Sequence, residues 1–279
     1  MQAIFTADDF GRSSTINAAV IRAHQDGVLT SASLMVTGDA FEEAVELALR
    51  HPTLAVGLHL VTGAGRAALS AHRIPHLAGP DGYFLGNPAS LGLRCFFNRA
   101  AQMELAAEIE AQLQRFAQTG LPLDHVNGHY HMHLHPTVLR SLVPLAQRYG
   151  ARGFRLPRDR LVPSLAWSRQ RAGTKIVWAA IYALLNRAAL RAWQPFPFVI
   201  TDRVYGFMQS GCMEEGYVVR MLEMPGPASA EFYFHPDTAS PSEPFGPNPG
   251  DLATLLSPRV RQTLEERGHM LTTYSALSR

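Results

Sequence analysis

The sequence predicts an α/β fold, a distorted (β/α) barrel of about seven to eight parallel strands forming a single domain. Three observations carry this expectation. Short apolar runs alternate with helical patterns along the chain, and that alternation implies parallel pairing through crossover connections. The 279 residues suffice for a barrel, which needs about 250. Polar residues collect where the predicted strands end, where such barrels build their active sites. An open doubly wound sheet shares the alternation. No G-x-G-x-x-G or G-x-x-x-x-G-K-[ST] follows the first strand, which argues against nucleotide binding.

Residues 3–7 read as a buried strand, and 17–26 as a helix that Gly27 stops. Residues 31–36 read as a second strand, 40–50 as a helix ended by His51-Pro52, and 54–60 as a third strand. Residues 61–98 read as a long irregular segment, punctuated by Gly63, Gly65, Pro75, Gly79, Pro80, Gly82, Gly86 and Pro88. Such a loop in a compact domain is expected to act as a lid. Residues 102–118 place Leu105, Ile109, Leu113 and Phe116 on one helical stripe. A fourth strand is expected at 123–131 and a fifth at 153–156, flanking a helix at 136–149 that Pro136 opens. Residues 165–193 read as largely helical. Strands at 198–201, 231–235 and 270–274 and helices at 214–222 and 251–266 complete the set.

Composition removes several classes of function. With 47% hydrophobic and 17% charged residues the chain is not intrinsically disordered. A net charge of +2 is too balanced for a dedicated nucleic-acid binder. Cys95 and Cys212 stand far apart, which excludes a disulfide framework or zinc ribbon and suits a reducing cytoplasm. Residues 1–9 lack the basic start of a signal peptide, and no run of about 18 apolar residues exists for a transmembrane helix. A cytoplasmic location is expected.

Asp8 and Asp9 follow the first strand, His59 closes the third, and His235 closes a late one. Adjacent strand residues point to opposite faces, so two neighbouring acids can serve one site only where the strand gives way to a loop. Between Asp124 and Pro136 lie His125, His129, His131, His133 and His135. Ten strand steps cover roughly 33 Å, so only one or two of these can reach one metal. One carboxylate and two imidazoles form a catalytic metal set that leaves a position open for water. Asp9, His59 and His129 are the simplest choice, with His131 and His133 still open as alternatives. Asp8 is then free for general base work and His235 for protonating a leaving group. Zn²⁺ suits the set first; Mg²⁺, Mn²⁺, Co²⁺ and Ni²⁺ are also accepted.

Thr6-Ala7-Asp8-Asp9-Phe10-Gly11, Gly57-Leu58-His59-Leu60, the histidine run, Arg155-Leu156-Pro157 and Phe234-His235-Pro236 together resemble the successive motifs of the YdjC-like carbohydrate deacetylases. The resemblance spans essentially the whole chain. It implies a distorted barrel, one divalent metal ion, and hydrolysis of N-acetyl groups on amino sugars. It also implies Asp8 as base, Asp9, His59 and His129 as ligands, and His235 as acid. Arg155, Tyr130 and His131 are expected to meet substrate. Where relatives read Asp-Ser-His-His-His, this chain has Asn127-Gly128-His129-Tyr130-His131, so position 127 carries no acid.

Within the family the chain is most similar to the branch associated with hopanoid biosynthesis. That likeness implies a lipid-linked N-acetylglucosamine as substrate; a chitooligosaccharide is the soluble alternative. Residues 174–193 add Trp178, Tyr182 and many aliphatic side chains among Arg and Lys, which suits an interfacial helix and peripheral membrane contact. Two other classes share parts of the pattern. A non-haem Fe(II) oxygenase also uses two His and one carboxylate, but leaves Asp8 and His235 without roles. A glycolipid-binding protein would retain substrate without releasing acetate.

Overall fold

The computed structural model describes residues 1–241, 243 and 246–277. The chain runs through β1 (Gln2–Phe10), α1 (Ser14–Asp26), β2 (Ser31–Leu34), α2 (Phe41–Arg50) and β3 (Ala55–Leu60). A long connection then leads to α3 (Pro88–Phe97) and α4 (Arg99–Ala117). β4 (His125–Gly128) passes through a 3₁₀ turn (His129–Leu134) into α5 (Pro136–Arg148) and β5 (Gly153–Phe154). Next come α6 (Leu161–Trp167), α7 (Ala172–Trp193), β6 (Arg203–Tyr205), α8 (Glu215–Glu223) and β7 (Ser229–Phe234). α9 (Pro249–Leu255), α10 (Pro258–Glu266) and β8 (Met270–Leu271) close the described chain.

The strands pair in parallel, in the order β5-β4-β3-β2-β1-β7-β6, and β8 joins the first two residues of β1. β1 is central and fully covered, so it reads as an apolar run rather than an alternation. Phe5 stacks on Phe232 and Phe234, with centroids 5.1 and 5.9 Å away. The sheet curls into a distorted barrel. Its two edges meet through one parallel bridge, Gly153 to Val199, held by Phe154 N–H to Val199 O and Val199 N–H to Arg152 O.

That bridge is all that remains of the strand expected at 198–201. Pro195 and Pro197 have no amide to donate, and pairing resumes only at Arg203. The irregular segment at 61–98 also differs from expectation, because its last third is α3. Asn87 and Ser90 form a reciprocal capping box there, and Pro88 occupies the first turn. The earlier part is tied to α4: Glu108 accepts the amides of Ala68 and Leu69, and Gln112 bonds both backbone groups of Val61. The helix expected at 251–266 divides where Ser257 caps α10 and Pro258 begins it. The one expected at 165–193 divides before Arg171, which takes a left-handed φ of 55°. Among the described residues no helix is long and apolar enough to cross a membrane.

Candidate functional site

Two adjacent acids reach one site by a route the sequence reading did not foresee. β1 does not yield to a loop at Asp8. Instead the register against β2 shifts between Ala7 and Phe10, and Asp9 adopts a left-handed φ of 64°. This is a bulge, which re-aims a side chain within a strand. Aspartate tolerates the conformation better than most residues.

The five clustered histidines separate into five different environments, because β4 ends at Gly128 and Tyr130 and His131 are both left-handed. His125 fills the barrel interior, bonded to Ser33 and Asp124 and stacked on Tyr274. It fits only because residue 57 is glycine; a Cβ there would lie 2.5 Å from the imidazole. His133 is buried against the carbonyl of Arg155, 3.0 Å away, and burial pushes its pKa down to about 3. His135 caps α5. His131 packs among Tyr182, Phe207 and Tyr233, with Nε2 3.0 Å from the Tyr233 hydroxyl. Only His129 turns towards the acids.

Asp9, His59 and His129 converge. Asp9 Oδ1 lies 3.3 Å from His59 Nε2 and 3.3 Å from His129 Nδ1, and the two nitrogens are 3.4 Å apart. Oδ1 is buried and forms no hydrogen bond, while Oδ2 accepts from Arg12 at 2.9 Å. Arg12 in turn pairs with Glu243 at 2.6 Å. Asn127 fixes the tautomer of His59. Its amide nitrogen donates to Ser33 and Asp8, so its oxygen accepts from His59 Nδ1 at 2.7 Å. The Nε2 lone pair is thereby left facing Asp9 and His129. A buried orphan oxygen and two imidazoles in one small triangle fit a divalent cation. Asn127→Ala should lower affinity for such an ion roughly 10- to 100-fold, the usual effect of losing a ligand's supporting hydrogen bond. Competition with a graded chelator measures this, and an unchanged affinity would refute the orienting role.

Asp8 sits beside this triangle, its Oδ1 4.0 Å from His59 Nδ1. Arg155 grips both carboxylate oxygens, and Asn127 adds a third donor. Burial would raise the pKa of Asp8, but the Arg155 charge overrides it and holds the group well below the usual carboxylate range. Arg155, expected to meet substrate, is fully buried. Its other face engages Glu231, which also accepts from the Tyr274 hydroxyl at 2.6 Å. The guanidinium stands 4.4 Å over the Tyr233 ring. A side chain so enclosed orients Asp8 and has no face left for a sugar.

His235 directly follows β7. Its amide donates to buried Asp251 at 2.8 Å. Tyr130 is half exposed and stacks edge-on against His129 at 4.3 Å. With His129 and Arg12 it borders a cavity of about 280 Å³, whose far wall includes Val61, Arg66 and Tyr83 from the 61–98 segment. Sequence reasoning missed Asn127, Glu231, Arg12 and Asp251. Glu231 alone carried a signal, as an acid inside the apolar run Ala230–Phe234.

The arrangement is a curled barrel of parallel strands with an Asp-His-His cluster at their carboxyl ends, a donor set of the kind that holds a divalent ion. The YdjC-like protein family model matches residues 2–266, and the chain belongs to that family. A carbohydrate deacetylase from Homo sapiens is 32% identical over 299 residues, covering 97% of this chain and 89% of its own. One from Brevibacillus brevis is 41% identical over 149 residues, covering 53% of this chain. That match spans 57% of the Brevibacillus protein, little more than half its length. An Enterococcus faecalis V583 protein, assigned provisionally to cellobiose-phosphate cleavage, shares the fold at a TM-score of 0.71. It is 23% identical and each chain is 99% covered.

Proposed function

We propose that this protein is a metal-dependent N-deacetylase that hydrolyses the acetamide of an N-acetylglucosamine unit carried on a hopanoid lipid. The observation that carries the chemistry is the orphan Asp9 oxygen facing two oriented imidazoles, with ionised Asp8 alongside. Carbohydrate deacetylases among the relatives support the sugar. Two imidazoles and one carboxylate would hold a divalent ion, and that donor set suits zinc first.

When bound, a divalent ion supplies Lewis acidity to the acetamide carbonyl and acidifies a water molecule. The remaining work falls to the chain. Asp8, kept ionised by Arg155, is always ready to accept a proton but is a weak base, so it serves only a water already made acidic. His235 donates a proton to the departing amine. Arg12 and Asn127 hold Asp9 and His59 in place. The 61–98 segment shapes access to the cavity. Asp8→Asn should retain metal while turnover falls roughly 100-fold or more; loss of metal from the variant would show that Asp8 is itself a ligand.

The lipid part of the reading is supported by the sequence resemblance and by α7, where Ile181 and Leu184 face solvent. The neighbouring Leu185 packs on the core instead. Peripheral membrane contact on the cytoplasmic side accompanies such a substrate, and the free thiols Cys95 and Cys212 suit that compartment. Polar replacement of Ile181 and Leu184 should raise KM for a lipid-linked sugar far more than for a soluble chitooligosaccharide. Equal losses on both would leave a general deacetylase. The deciding experiment is acetate release from N-acetylglucosaminyl lipids and from chitooligosaccharides side by side, with defined divalent ions.

A further inference from the structure

α7 carries apolar side chains on both faces. Its 22 residues span about 33 Å. Beside Tyr182, Ala189 and Trp193 it buries Lys175 and Asn186, only 5% and 9% exposed, while Val177, Trp178 and Leu184 are 57%, 45% and 65% exposed. A surface helix ordinarily turns its apolar stripe inward. α3 buries Leu91 and Cys95 on its inner face but also leaves apolar side chains outward, with Leu93 63% and Phe97 80% exposed. The two helices flank the same turn at the mouth of the site. Gly92 of α3 closes on His135, and Tyr182 of α7 packs on His131.

Charge decides what covers this surface. Residues 82–103 and 161–201 contain seven Arg or Lys, six of them at least partly exposed and only Lys175 buried, and no Asp or Glu. Two copies of the chain meeting there would oppose like charges. An anionic bilayer answers both features at once, taking apolar side chains into the acyl boundary and cations onto its headgroups. Resting on the membrane contact proposed above, we infer that α3 and α7 dock the protein on anionic lipid, with the mouth of the barrel turned to the bilayer.

The test uses the full chain and vesicles of phosphatidylcholine with and without phosphatidylglycerol. Co-sedimentation should require the anionic lipid and weaken with salt, and Trp178 fluorescence should shift to the blue. Arg187→Gln with Arg191→Gln should weaken binding roughly 10- to 30-fold, at about one tenfold step or less per cation. Phe97→Glu with Val177→Glu should abolish it. Acetate release from soluble chitooligosaccharide should persist in both variants, so failure to dock is read separately from failure of the deacetylase reading. Binding to neither vesicle, equal binding to both, or a dimer in solution that the Phe97/Val177 variant dissociates would overturn the inference.

Discussion

His59→Ala should leave the barrel folded and its centre unable to hold a divalent ion, with acetate release reduced roughly 1,000-fold or more. In the proposed reaction a divalent ion held there would supply several kcal/mol of charge stabilisation, and each 1.36 kcal/mol is tenfold in rate. His59 supplies one of three converging donors, and its other nitrogen is spoken for by Asn127. Truncation removes a ligand and leaves the Asn127 oxygen without its partner, a modest cost in a domain with so large a core. Asp9→Ala and His129→Ala should behave alike. Metal analysis, circular dichroism and acetate release measured together check this. An unfolded variant would instead make the residue structural, and a metal-loaded, inactive one would move it out of the ligand set.

Arg155→Met should cost about 3–5 kcal/mol of stability, because it leaves Asp8 and Glu231 buried without a counter-charge. In a domain of this size that corresponds to a Tm lower by roughly 10 °C. Adding Asp8→Asn and Glu231→Gln should recover part of the loss, since the stranded charges are then gone. Thermal denaturation of the single and triple variants measures both effects. A single variant with unchanged Tm and a raised KM would return Arg155 to the substrate.

The contrast between Arg155 and His59 shows what this sequence could and could not reveal. Strand-helix alternation made the barrel legible, and the rule that barrel sites lie at strand ends brought Asp9, His59 and His129 into one group before any coordinates. The alternation could not show that Pro195 and Pro197 would reduce an expected strand to the single bridge at Val199. Nor could a two-residue period in the histidine run survive a 3₁₀ turn with left-handed Tyr130 and His131. His125, His133 and His135 therefore serve packing and capping. Arg155 lies far from both Asp8 and Glu231 in sequence and meets them only across the barrel, so neither pair is legible without the curled sheet.

The proposed acetamide hydrolysis depends on an ion held by Asp9, His59 and His129. Acetate release from an N-acetylglucosaminyl substrate is measured with chelator-treated protein, before and after titration with one equivalent of zinc. No acetate is expected without the ion, and recovery should saturate at one ion per chain. Undiminished release from the metal-free protein, or none with any divalent ion on any N-acetylated sugar, would contradict that dependence.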